Sequence, residues 1–123
     1  MQLAPSHKDF SPRNLKINPK SSKLVILDAE HFALAPIFYD QTYFLTSLWL
    51  KDGTQGMQFF QKLVEVEAEN LEFHDQFVPV LTSRLIGVSW DEKNDKHQLE
   101  NLLTLTKFWE ELYLTHFAST ANF

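Results

Sequence analysis

The sequence contains no cysteine, which excludes a disulfide framework and any thiolate zinc site and suits a reducing, cytoplasmic setting. Glycine is nearly as scarce: Gly53, Gly56 and Gly87 are the only three in 123 residues, so no glycine-rich phosphate-covering loop is spelled anywhere. Proline occurs five times, and so small a supply of both turn formers predicts few loops and long helices. Positive charge is in deficit, with 11 Lys and Arg against 16 Asp and Glu and a formal charge of -5. There is no basic stripe, and a nucleic-acid partner is not expected. No apolar run approaches bilayer-spanning length, so no membrane partner is expected either. The opening "MQLAPSHKDF" lacks the apolar stretch of a secretory leader.

What the chain does have is core material. Hydrophobic residues make up 44% and aromatics 14%, with eleven Phe and three Trp, enough for one compact domain and too much for disorder. Residues 1–14 are polar and punctuated by proline, which predicts a loop. "LKI" (15–17) and the β-branched apolar run "LVIL" (24–27) predict two short strands, the second with the look of a buried one. "NPKSSK" (18–23) between them is turn chemistry, so the segment predicts a hairpin.

Beyond Pro36 the periodicity becomes helical, predicting helices over 37–50, 57–71, 73–90 and 97–117. "KDG" (51–53) stops the first, "DEKND" (91–95) precedes the last, and Pro79 falls in the first turn of the third or kinks it. The expected apolar faces carry Tyr43, Phe44, Leu48 and Trp49, then Phe59, Phe60, Leu63 and Val64, then Leu99, Leu102, Leu103, Trp109, Leu112 and Tyr113. The predicted fold is mainly α with α+β character: one domain with a loop and hairpin over 1–36 and about four helices over 37–123.

The polar chemistry is concentrated in the first quarter. "HKDFSPRN" reads His-x-Asp-x-x-x-x-Asn, and an Asp follows the second strand at position 28. Phosphoryl transfer needs these groups: a carboxylate against the acceptor hydroxyl, and an amide with a second carboxylate to hold magnesium by hard oxygens. A hairpin leaving at Asn14 and returning at Asp28 brings both ends to one place.

The three segments "HKDFSPRN", "LVILDAEHFA" and "FYDQTYFL" together resemble the aminoglycoside phosphotransferase / choline kinase family of small-molecule kinases. That family typically reads His-Gly-Asp-x-x-x-x-Asn, then an apolar strand into Asp-x-Glu, then a Tyr/Phe-Asp pair leading a helix. The similarity covers roughly residues 6–50 and is closer than that to protein kinases, which read His-Arg-Asp and Asp-Phe-Gly and usually hold Lys where Ser11 stands. It implies the helical C-terminal lobe of a protein-kinase-like fold, and transfer of a phosphoryl group from ATP, with Mg, to a small hydroxylated acceptor. On the resemblance, Asp9 is the catalytic base, Asn14 and Asp28 are the magnesium ligands, and His7 braces the catalytic loop. Asp40 anchors that loop from its helix, and Glu30 matches the Glu of Asp-x-Glu in a supporting role. Lys8 stands where the family has Gly, a residue that permits unusual backbone angles.

The resemblance also implies parts that are not spelled here: an N-terminal lobe with a phosphate-covering loop, and a Lys with its Glu partner. The expectation is therefore a C-terminal lobe alone, truncated, split or degenerate, and inactive by itself. A non-catalytic interaction module and an unrelated helical domain with a chance motif are the alternatives. Among the histidines, His31, His74, His97 and His116 show no helical metal-binding pair. Glu65, Glu67, Glu69, Glu72 and Asp75 read as a solvated face rather than a seat for a cationic acceptor. The acceptor and the oligomeric state are not legible.

Overall fold

The computed structural model describes residues 2–28, 30, 32–89 and 95–115. It is mainly helical, with two small antiparallel sheets. Strand β1 spans Leu3–Ser6, β2 Leu15–Ile17, β3 Leu24–Ile26 and β4 Ala33–Pro36; helix α1 spans Tyr39–Lys51, α2 Gly53–Val66, α3 Phe73–Ser89 and α4 Lys96–Tyr113.

β2 and β3 form the expected hairpin, with Leu15 opposite Ile26 and Ile17 opposite Leu24. Its apolar side chains are not buried, contrary to expectation. Leu24, Val25 and Ile26 are 59%, 42% and 52% exposed, because among the described residues no layer packs on the two-stranded ribbon. The expected loop over 1–14 is also corrected. Leu3–Ser6 pairs with Ala33–Pro36, Ala4 opposite Ala35, which ties the start of the chain to the lead-in of α1. Pro5 and Pro36 hid this sheet, yet among the described residues both sit on strands with only one paired edge, where a missing N–H is tolerated.

α1 is the centre of the helical part, in contact with α2, α3 and α4. Its buried residues are Thr42, Leu45, Thr46, Trp49 and Leu50. Tyr43, Phe44 and Leu48 are only half-buried, so the inner face is rotated from the predicted one. The rotation became possible because the two threonines satisfy their own hydroxyls: Thr42 donates to the Tyr39 carbonyl at 2.9 Å and Thr46 to the Thr42 carbonyl at 3.0 Å. Around α1 an aromatic cluster joins Phe38, Phe73, Phe77, Phe60 and Phe108, with Phe73 and Phe77 stacked at 5.0 Å. Leu102 and Leu105 anchor α4, whereas Leu99, Leu103 and Tyr113 of the expected face are exposed.

"KDG" does stop α1, but the same Asp52 starts α2. Its side chain accepts from the N–H groups of Thr54 and Gln55, so α2 begins four residues before the predicted 57 and ends at Val66 rather than 71. Gly56 is pressed on Trp49: a Cβ there would lie 2.8 Å from the Trp49 Cα. Pro79 sits in the interior of α3, beyond the first turn. Asp95 caps α4 in a reciprocal box with Gln98. Trp90, residues 91–94 of the polar break, His31, Ala29 and the end of the last predicted helix past 115 lie outside the described residues. No described helix is long and apolar enough to cross a membrane.

Candidate functional site

The segment from His7 to Asn14 is held from three directions. Asp40, in the first turn of α1, accepts the backbone N–H of His7 at 2.8 Å on Oδ2 and that of Lys8 at 3.0 Å on Oδ1. Lys8 has φ 71, the left-handed region, so the glycine-like backbone exists here with a side chain attached. His7 is buried, and its Nε2 lies 2.7 Å from the Leu27 carbonyl at the end of β3. Its Nδ1 accepts the Asp9 N–H at 3.1 Å, so the ring hydrogen belongs on Nε2 and is donated to Leu27. One imidazole thereby fixes both the turn before Asp9 and the position of the returning hairpin.

A short 3₁₀ turn, Pro12–Asn14, leads from this loop into β2. It folds Asn14 back on Asp9: Asn14 Nδ2 donates to the Asp9 carbonyl at 2.8 Å and to its Oδ2 at 3.2 Å. That use of the amide nitrogen leaves Oδ1 as the acceptor end of a buried Asn14. The Leu27 N–H donates to the Asn14 carbonyl at 2.8 Å, so the hairpin closes with Asp28 one residue past that bond. Asp28 is exposed and has φ 55, a left-handed backbone that Asp tolerates better than most residues. Glu30 is exposed beyond it.

The Asp9 carboxylate is crowded with donors that the sequence reading did not foresee. Tyr43 Oη donates to Oδ1 at 2.8 Å, and Arg13 Nη2 lies 2.9 Å from Oδ1 and 3.0 Å from Oδ2. Burial pushes the Asp9 carboxyl up, but hydrogen bonds from Tyr43 and Arg13, the Arg13 charge and the Asn14 amide together hold it below its ordinary value. Arg13 is itself held protonated, by Asp9 first and with a smaller contribution from the charge of Asp28. Burial, and then the bond to Asp9, raise the Tyr43 phenol, against the charge of Arg84. Helical spacing places Tyr43 on the core face, and only its position one turn after Asp40 hints that it reaches the loop. Arg13 follows Asp9 by four residues, and the 3₁₀ turn makes that spacing a contact.

The sequence-derived residues thus fall into two groups. His7, Asp9, Asn14 and Asp40 form one hydrogen-bonded unit. Asp28 stands at the hairpin end beside it, and Glu30 lies outward. Among the described residues no group of three His, Cys, Asp or Glu side chains could hold a metal ion; Asp9, Asp28 and Asn14 would supply two carboxylates and an amide. Comparison with family models, curated proteins and solved structures yields no match. The site stands on its own geometry.

Proposed function

We propose that this chain carries the catalytic-loop portion of an ATP- and Mg-dependent phosphotransferase acting on a small hydroxylated acceptor, resembling the C-terminal lobe of the aminoglycoside phosphotransferase / choline kinase family. The observation that carries the reading is the double grip of Asp40 on the His7 and Lys8 amides, with Lys8 left-handed where that family has glycine. This aims Asp9 from a rigid base. Asp9 is the base that receives the acceptor's hydroxyl proton. Asn14, through Oδ1, and Asp28, through its carboxylate, would hold magnesium; both offer the hard oxygens it prefers. When bound, the metal supplies charge neutralisation on the donor phosphates. Tyr43, Arg13 and Asn14 favour the charged form of Asp9 against its burial.

Manganese titration followed by NMR tests the reading on the chain as it is. Paramagnetic broadening is expected to centre on Asn14, Leu27 and Asp28, and Asp28→Asn is expected to weaken it more than Glu30→Gln. Broadening centred on Glu65–Glu72 instead, or equal effects of the two substitutions, would overturn the ligand assignment.

A second reading, a non-catalytic interaction module, is favoured by one specific feature. Arg13 reaches both Asp9 oxygens, where an acceptor hydroxyl would stand, and must swing away before the base is free. Arg13→Ala separates the two: release of a working base raises turnover in any ATP-dependent assay of the chain with its complementary lobe supplied, and an idle Asp9 leaves turnover at zero.

A further inference from the structure

Beside the loop lies a cleft of about 720 Å³ whose walls are contributed by the loop, the end of α1, the middle of α3 and the start of α4. Its charge runs against the rest of the molecule. In a chain of net charge -5, the lining includes Arg13, Lys16, Lys51 and Arg84, with Asp95 as the one carboxylate among the described residues there. Asp95 is already committed, accepting the Gln98 N–H at 2.8 Å as the cap of α4.

Arg84 is the most telling of these cations. It is half-buried, its Nε donates to Thr46 Oγ1 at 3.1 Å, and its guanidinium lies 4.1 Å from the centre of the Tyr43 ring. Those contacts orient the group, yet among the described residues no carboxylate pairs with it. A guanidinium held in one orientation, with no counter-ion among the described residues, is a ready contact for an anion.

A second observation comes from the loop side of the cleft. Ser11 is 5% exposed, lines the same cleft, and its hydroxyl is the one buried side-chain polar atom among the described residues with no hydrogen-bond partner. It stands at the cap of the 3₁₀ turn but makes no capping bond. A buried hydroxyl with no partner in the protein has its hydrogen-bonding capacity open to a ligand or a solvent molecule.

We propose that this cleft binds an anionic group, and that the acceptor is a small hydroxylated compound carrying a carboxylate or phosphate, with Arg84 as the primary anion contact and Lys16, Lys51 and Ser11 in support. The identity of the ligand as acceptor rests on the phosphotransferase reading above; the anion site itself does not. Tyr43 joins the two regions, since it lines the cleft and its hydroxyl sits on Asp9, so an anion on Arg84 places the rest of a short molecule toward the base. The acidic residues Glu65 to Asp75 lie elsewhere, on the end of α2, the turn after it and the first turn of α3, and do not offer this cleft a seat for a cation.

The test titrates the chain, without nucleotide or metal, with glycerol 3-phosphate, and in parallel with glycerol and choline as neutral and cationic hydroxyl compounds. The readouts are the Arg84 Nε–H and Tyr43 ring resonances. Glycerol 3-phosphate is expected to bind saturably with shifts at both; choline and glycerol are not. Arg84→Gln is expected to weaken binding about tenfold or more, as loss of a charge-assisted hydrogen bond requires. Because Arg84 braces Thr46, the double change Lys16→Gln/Lys51→Gln serves as a second variant at exposed positions and is expected to weaken binding several-fold. Choline binding in the cleft, no saturable anion binding, anion binding indifferent to both variants, or shifts spread equally over Lys62 and Lys107 would each overturn the proposal. If the anion binds as expected while manganese fails to find Asn14 and Asp28, the anion site stands and the acceptor role falls. The reverse result leaves the phosphotransferase reading and removes the anionic acceptor.

Discussion

Asp40→Ala is the substitution that bears most directly on the loop. It deletes an acceptor shared by two backbone amides, at 2.8 Å and 3.0 Å. His7 is 7% exposed, so its N–H has little access to water once the carboxylate is gone. Leaving a buried donor unsatisfied costs about 1–3 kcal/mol. The half-buried Lys8 amide belongs at the low end of that range, and loss of a carboxylate from the first turn of α1 adds about 0.3–1 kcal/mol through the helix dipole. The expected total is about 3 kcal/mol, a large part of the roughly 5–15 kcal/mol that holds a domain together. Urea unfolding should show the midpoint falling by about 1–2 M with the slope unchanged. Asp40→Asn, which keeps one acceptor oxygen, should lose about half as much. Hydrogen exchange separates a local from a general effect: the His7 and Lys8 amides should exchange faster while those of α4 at Leu102 and Leu105 stay protected up to the lowered global limit. A loss below about 0.5 kcal/mol, the level of an ordinary surface change, would refute the reasoning, as would unaltered exchange at His7 and Lys8.

Four further outcomes are expected. Lys8→Gly should raise stability by about 0.5–1 kcal/mol in the same urea assay, because relief of a left-handed backbone of about 1–2 kcal/mol exceeds the extra freedom given to the unfolded chain. Gly56→Ala should destabilise by about 1–3 kcal/mol by forcing α2 off Trp49, whereas Gly87→Ala, with nothing within 4 Å of the added methyl, should stabilise by about 0.5–1 kcal/mol. Asp9 has a folded pKa below its ordinary 3.8, so between the two values the unfolded chain binds the proton and the folded chain does not; stability from this group is present above pH 3.8 and is lost as pH falls through the folded value, and Asp9→Asn should flatten that part of the acid unfolding curve. In ultraviolet titration the Tyr43 phenol should ionise above 10, and Asp9→Asn should lower it only in part, since burial is the larger cause.

The sequence and the structure part company in ways that have specific causes. The hairpin was legible because "NPKSSK" is local turn chemistry, and local chemistry is what a single sequence displays. That its apolar strands are exposed was not legible, since Leu24, Val25 and Ile26 are written the same way with or without a covering layer. β1 escaped notice because Pro5 argues against a strand unless the strand is known to be an edge. The α1 face was misjudged because threonine counts as polar, while Thr42 and Thr46 bury themselves by bonding to their own helix. At the site, the resemblance pointed to Asp40, and the geometry has its carboxylate on the loop. Tyr43 comes to Asp9 through the docking of α1 on the loop, and Arg84 comes to the cleft only through the packing of α1 against α3, a relation with no signature along the chain.

Phe38 decides how far the loop could travel as a part. It precedes α1 with φ 70, a conformation that disfavours a bulky side chain, and its ring is 5% exposed against Phe73 and Phe77. Aromatic burial on α3 therefore holds a bend two residues before Asp40. Glycine at this position would ease the bend and empty the cluster, so no single residue improves both. Grafted onto another helical bundle, residues 6–40 would keep their hydrogen-bonding groups and lose the wedge that points Asp40 at them. The smallest transplantable unit is the loop together with α1 and the phenylalanine turn of α3.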